Sequence, residues 1–512
     1  MAKEYQLRIF GALLIITILA IIQVVSAGDQ QLTFSVTYGG NSFDTAYSLA
    51  WAFGNPSGKL YVVGSSTSFS SPPQREGIVA MFDENLGTPS TVVKMQGFSG
   101  WGEFYDVAVP IGISLSNTIA VVGYIPNNNR DPVVYWLDKS TLGTTLAYQL
   151  TVFGGSARDE AVSVSFDSQG NTIVAGFSDS GSPPLDNRVP YLVKFDSAGN
   201  ILWSKAFRPV GAGPSYIGIP GISGALAIDY DNNIIVAGSV DLPAGKDYDA
   251  FVAKFDLNGS LLWYKTFGGS KREHAYGVAL DNLGNIYVTG STNSFSASAT
   301  YDIFVARFDP NGNLAWFRVW DIDNVGANDG AYSIAVIQSD HIYITGVTYA
   351  YDSSGDMFFA KIAADGTPLY VKRSSMAGED KGFKVALNIH STNDVFYVNV
   401  AGISNSNPTS TNFLSASFTL VTSSVSVTTQ TTFYLLASIA AINDITASAP
   451  LVDITASVNS PDNQDGRAMV LKFDPPSVPN ENKTSIPYVS YFLIATIITL
   501  IALSAVFIKR RL

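Results

Sequence analysis

The chain has 512 residues, a formal net charge of −12 and only 14% charged residues. That acidic balance argues against nucleic acid as a partner, because phosphate backbones are gripped by Lys and Arg. The absence of cysteine excludes disulfide staples and thiolate chemistry, so a chain of this size relies on its hydrophobic core.

The first segment carries Lys3 and Arg8, an apolar run from Ile9 to Val25, and a small-residue exit at Val25-Ser26-Ala27. This predicts a signal peptide over 1–27 cleaved near Ala27, or an uncleaved anchor, since the run is long. From Leu32 to Asp474 a unit of roughly 55 residues then recurs, with its clearest copy at 261–309. Each unit closes on Phe-Asp or a variant, at Phe82, Leu137, Phe195, Phe255, Phe308, Ile362, Phe418 and Phe473. A glycine ends a β-branched run at Gly64, Gly123, Gly176, Gly238, Gly290, Gly346 and Gly402, with Ala456 in the eighth slot.

Each unit reads as four short strands rich in Val, Ile, Phe and Tyr. Turns such as DNLGN (281–285) and DSQGN (167–171) put Asp first and Gly fourth, as a type I turn followed by a left-handed residue requires. The second turn, FDxxG, repeats this logic at Gly199, Gly259, Gly312 and Gly366. Four antiparallel strands at this period predict an all-β fold, a β-propeller. Counting anchors gives an eight-bladed ring. Seven blades is the alternative, because 369–474 is degenerate and rich in Ser, Thr and Asn. The eighth unit ends at 468–474 without an outer strand, so the opening strand 32–38 is expected to pair with it and cover an exposed edge.

After the propeller (28–474) come a linker at 475–487, an uncharged stretch at 488–508 and the tail Lys509-Arg510-Arg511-Leu512. The uncharged stretch is long enough for a transmembrane helix, and the basic tail would remain in the cytoplasm. The propeller is then expected outside the cell on a single-pass anchor. Since strand 468–474 runs toward the tight turns, that end is expected to face the membrane. The long connectors at 65–76, 178–189, 207–224, 240–249 and 291–302 would face outward, where binding usually resides.

The repeats resemble a bacterial and archaeal β-propeller repeat family. Its signature is a Gly-Gly, an acid, a D-x-x-G-N-x-Y-V-x-G core and a D-x-F-V-x-K end. Residues 267–290 followed by 301–309 carry it nearly whole. The resemblance implies a scaffold common in secreted or surface proteins, with no shared catalytic residues. With the low charge and Ile-rich termini, it fits an archaeal envelope protein.

Three positions before the Tyr, Val or Phe of each inner strand lies an acid: Asp44, Asp159, Glu273, Asp329 and Asp380, with Glu103 one position off. These would ring the mouth of the central channel. They either accept N–H bonds from the preceding Gly-Gly turn, or form a cation site, or supply an acid–base pair for glycoside cleavage. Asp321, Asp323 and Asp329 form the densest oxygen cluster and give a weak match to a Ca2+ loop, which wants further oxygen ligands at Val325 and Tyr332. The histidines His274, His341 and His390 are not expected to converge. Trp203, Trp263, Trp316 and Tyr370 recur at one slot and read as blade packing. Asn258 and Asn482 begin glycosylation sequons. The expected function is therefore a cell-surface binding or envelope-scaffold module for an envelope protein or glycan. A glycan hydrolase or lyase acting at the channel mouth is the alternative, and a purely structural spacer is a third reading.

Overall fold

Strands form where β-branched and aromatic residues cluster between turn residues. The computed structural model describes residues 32–473, apart from short loop stretches and 454–466. The signal segment, linker, membrane span, tail and Asn482 lie outside the described residues. Leu32–Phe473 forms one compact unit.

Six blades are built from consecutive antiparallel strands, at 44–95, 103–152, 159–209, 215–268, 273–322 and 329–374. They are numbered one to six below. The innermost strands touch in sequence, and a composite sheet closes the ring between blades six and one. That sheet runs outward from Asp380–His390 through Val395–Ser404 and Arg467–Phe473 to Leu32–Tyr38. Leu32 lies opposite Phe473 and Tyr38 opposite Ala468. The opening strand thus sits where the repeat phase puts it.

The count of eight repeat-built blades is corrected, as is the alternative of seven: six are contiguous, and the ring is completed from both ends of the described chain. Phe418, read from the sequence as the end of a third strand, lies opposite Trp320 of blade five. Arg467–Phe473 takes the third place beside Val395–Ser404 instead. The physical reason lies in 405–465, which contains no glycine and so has neither the Gly-Gly turn nor the strand-ending Gly of a blade.

Its short β-prone runs pair elsewhere. Thr411–Leu414, Ala416–Thr419, Ser426–Thr429, Phe433–Leu436, Ile439–Asp444 and Leu451–Asp453 add one strand each to the outer edges of blades six, five, four, three, two and one. This belt circles the ring against chain order and covers edges whose N–H and C=O groups would otherwise be open.

Middle strands are buried throughout, as at Thr172–Ser178 and Val189–Phe195, whereas the outer strand Ile201–Pro209 alternates over its first half. Inner strands carry a bulge at one repeated position, residue 47, 105, 162, 276, 332 or 383. The bulge explains the strand-ending glycine. A Cβ at Gly64, Gly290 or Gly346 would collide with the carbonyl of Thr45, His274 or Gly330, which the bulge pushes toward it.

Candidate functional site

The connectors within a blade alternate between tight and long, so antiparallel succession gathers the tight turns at one end of the ring. In the turn at 167–171, Gly170 has φ +82°, and Asn171 N and Nδ2 donate to Asp167 at 2.9 and 2.8 Å. Lys194 pairs with the same carboxylate at 2.9 Å, and Lys254 repeats this on Asp229 at 2.9 Å. The Asp of each of these two turns is thus occupied by its own turn and a neighbouring Lys, which leaves the longer connectors at the other end as the candidate site.

At that other end the acids Asp44, Glu103, Asp159, Glu273, Asp329 and Asp380 open the inner strands, and all are buried. Blade four has Ser215 in the slot, across from Val240. The carboxylates are held by hydroxyls of their own blades. Ser68 Oγ donates to Asp44 at 2.9 Å, Ser178 and Ser180 Oγ donate to Asp159, and Thr292 Oγ1 donates to Glu273 at 2.6 Å. Gly269 N, from the Gly-Gly turn, donates to Glu273 Oε2 at 3.0 Å. Glu103 instead meets Arg75 at 2.8 Å. Burial raises Asp159 to about 6 and Asp329 to about 7, and raises Glu273 as well. The hydroxyls two and four residues after the strand-ending glycine, as in Gly176-Phe-Ser178-Asp-Ser180, are the sequence signal for this clasp.

The axis inside these acids is filled. Bulged residues turn inward and meet ring to ring: Tyr105 edge-on to Tyr47 (5.6 Å), Tyr47 tilted on Phe383 (5.5 Å), Phe383 stacked on Tyr332 (6.0 Å) and Tyr332 edge-on to Tyr276 (5.6 Å). One residue further along lies a polar layer. Asp106 accepts from Ser48 (2.6 Å) and Ser163 (2.8 Å), and Lys384 reaches to within 3.7 Å of it. The acids expected to ring the channel mouth therefore open strands whose bulged residues pack ring to ring further in.

Blade five departs from this pattern. In blades one, two and six the third-strand acid is matched by a residue on the outer strand: Glu76 by Lys94 (2.7 Å), Asp131 by Gln149 (2.6 Å) and Asp356 by Arg373 (2.6 Å). In blade five the third-strand acid Asp302 feels Asp321 and Asp329 instead. Burial and the Asp321 charge raise it to about 7. Asp329 Oδ2 accepts from Ile322 N at 2.8 Å, and Asp321 Oδ2 from Gly326 N at 3.1 Å. Asp323 lies outside the described residues. Among the described residues, no group of three or more His, Cys, Asp or Glu is spaced to hold a metal ion.

Beside Asp329 a cavity of about 150 Å³ opens, walled by Tyr276, Tyr301, Tyr332 and Tyr349. Tyr276 and Tyr332 are bulge residues, while Tyr301 and Tyr349 come from variable connectors. Sequence reading missed the cavity because only the packing of blade six on blade five brings the two blades' tyrosines together.

His274 is partly buried next to this wall, with Nδ1 2.9 Å from Tyr216 Oη and 3.2 Å from Ser239 Oγ, and desolvation lowers it to about 4. His341 sits in the turn of blade six, and the side chain of His390 lies outside the described residues. The Trp slot is packing: Trp203 and Trp316 donate from Nε1 to Leu257 O and Ala364 O of the following blades, both at 3.1 Å. Asn258 is exposed in its turn, with its backbone N–H donated to Asp256 Oδ1 at 2.9 Å.

Residues 274–295 match the family model described as Beta-propeller repeat, SBBP. The chain is 27% identical over 164 residues to Regulatory protein FlaEY of Caulobacter vibrioides, a match covering 28% of this chain and 16% of that protein. It thus spans less than a fifth of that curated relative. Among solved structures, the quinohemoprotein alcohol dehydrogenase ADHIIG of Pseudomonas putida matches with a TM-score of 0.37 and 9% identity, over 82% of this chain and 65% of that one. Pyrococcus horikoshii acylaminoacyl peptidase matches with a TM-score of 0.34 and 12% identity, over 72% and 59%.

Proposed function

Because the chain is a β-propeller whose repeat at 274–295 matches the Beta-propeller repeat family, we propose that it is a binding module. It would hold a protein or glycan of the cell envelope through the long connectors, on a chain anchored in the membrane outside the cell. The observation that carries this reading is polarity. Leu32 pairs with Phe473 at the tight-turn end, so both described chain ends leave opposite the long connectors. A membrane anchor at either end would present the variable face outward. The buried acid clasp and the aromatic plug add support, since they occupy the channel mouth that a hydrolase or lyase would use.

The test is capture of envelope components by the full-length protein in detergent. A variant with 181–187 and 295–300 replaced by short turns, which leaves the strands and the acid clasp in place, serves as the control. Retention by the parent and loss in the variant is the expected result. Retention unchanged in the variant would sink the assignment of the binding face. Turnover of surface polysaccharide by the parent, lost on Asp159→Asn, would establish the enzyme reading instead.

A further inference from the structure

We propose that the tyrosine-walled cavity between blades five and six binds a small organic cation carrying an alkylammonium or trimethylammonium head. This site is a different proposal from the macromolecular binding above: it needs only one small cavity, walled by two inner-strand tyrosines and by Tyr301 and Tyr349 of the connectors.

The walls suit such a guest. Tyrosine rings attract cations through their quadrupole, and four of them surround one space of about 150 Å³, a size that accepts a benzene-sized molecule. Their positions are fixed by one dipeptide. Asn328 Oδ1 accepts from Tyr301 N (3.0 Å), Asn328 O accepts from Tyr349 N (3.1 Å), and Asp329 N donates to Tyr301 O (2.6 Å). Tyr276 is held from the other blade by a hydrogen bond between its hydroxyl and Ser291 Oγ at 3.0 Å.

The charge suits it as well. Asp329 is 2% exposed and lines the cavity, and its Oδ1 accepts no hydrogen bond. Asp302, 4% exposed, likewise has an Oδ1 without a hydrogen bond, and Asp321 adds a like charge. Blades one and six answer their third-strand acids with Lys94 and Arg373, whereas blade five has the apolar Val319 at the matching place on its outer strand. A buried carboxylate oxygen left without a hydrogen bond is costly, and a bound cation beside Asp329 Oδ1 would offset that cost. An inorganic ion fits less well, because the wall is aromatic and the carboxylates are not spaced as metal ligands among the described residues.

Titration calorimetry on the full chain, with choline and its neutral isostere 3,3-dimethylbutan-1-ol as probes, tests this. Choline should bind saturably, with the isostere weaker by about tenfold, as expected for a cation partly removed from water. Asp329→Asn and Tyr332→Leu should each weaken choline several-fold. Equal binding of the two probes would overturn the proposal, as would absence of saturable choline binding. Displacement of choline by equimolar calcium would also overturn it, by making the site inorganic. The isostere comparison needs no variant, so it stands even if Tyr332→Leu fails to fold. Envelope capture is a separate measurement, and either result can fail without the other.

Discussion

The indole of Trp203 lies over Gly259, the turn glycine of the next blade, and donates from Nε1 to Leu257 O in that turn at 3.1 Å. Trp263 covers Gly312 and Trp316 covers Gly366 in the same way, so each outer strand latches the blade that follows. Trp203→Ala should therefore cost about 3 kcal/mol, the lower end of the range for a large aromatic because the ring is only partly buried. Gly259→Ala should cost about 1 to 2 kcal/mol, since its φ is +77° and a Cβ would stand 3.0 Å from the indole. Calorimetric melting of both variants checks this. Equal, negligible shifts would remove the latch.

The strand-ending glycine should be far less tolerant than the turn glycine. A Cβ at Gly290 would strike the His274 carbonyl and crowd the Phe304 ring. Gly290→Ala should lower stability by about 3 kcal/mol, the upper end for overpacking, because the obstruction is backbone and cannot swing aside. Amide exchange should then show the loss centred on 273–292. A uniform loss across all blades would contradict the bulge explanation.

Burial of the inner-strand acids gives a pH dependence of definite sign. Asp159 (about 6), Asp302 and Asp329 (both about 7) titrate above the ordinary aspartate value in the folded protein, and Glu273 is raised too. The folded state then binds more protons than the unfolded chain between about pH 4 and 7, so stability should fall as pH rises through that window. His274, lowered to about 4, works in the opposite sense, favouring the folded state as pH rises toward 6.5. Melting temperatures should decline from pH 4.5 to 7.5. The decline should flatten in Asp159→Asn/Asp329→Asn and steepen in His274→Gln. A melting temperature that climbs steadily over the range in the parent would contradict the assignment.

The composite sheet should depend on pairing along both sides of 467–473. Val470 lies opposite Val36 on one side and Ala401 on the other. Val470→Pro removes an N–H from a central strand and should destabilise by about 3 kcal/mol or more. Protease cleavage near 32–38 should rise with it. Unchanged cleavage would mean that the opening strand is held by something other than this ladder.

Local chemistry explains why much of the fold could be read before the structure was seen. The Asp-x-x-Gly turns, the FDxxG turns and the strand-ending glycines each need only a few neighbouring residues, and the phase of the repeat fixed the place of 32–38. Blade number was not legible. Phe418 has the same character as the true anchors, and only the open edge of blade five decides that it pairs with Trp320. The acids were found by their spacing, but their burial was not, because the hydroxyls that clasp them come from the end of a neighbouring strand. The cavity escaped for a similar reason: Tyr276 and Tyr332 belong to different repeats, and their rings meet only across the blade boundary.

The belt also sets a timetable for synthesis. Blade six, finished at Ser374, is sealed once Thr411–Leu414 follow, whereas blade one, finished at Met95, must wait for Leu451–Asp453. At roughly 5 to 20 residues per second, that leaves the oldest edge open for about 20 to 70 s. The blades made first are closed last, so the interval of greatest exposure to wrong strand partners falls on the part of the nascent chain that emerged earliest.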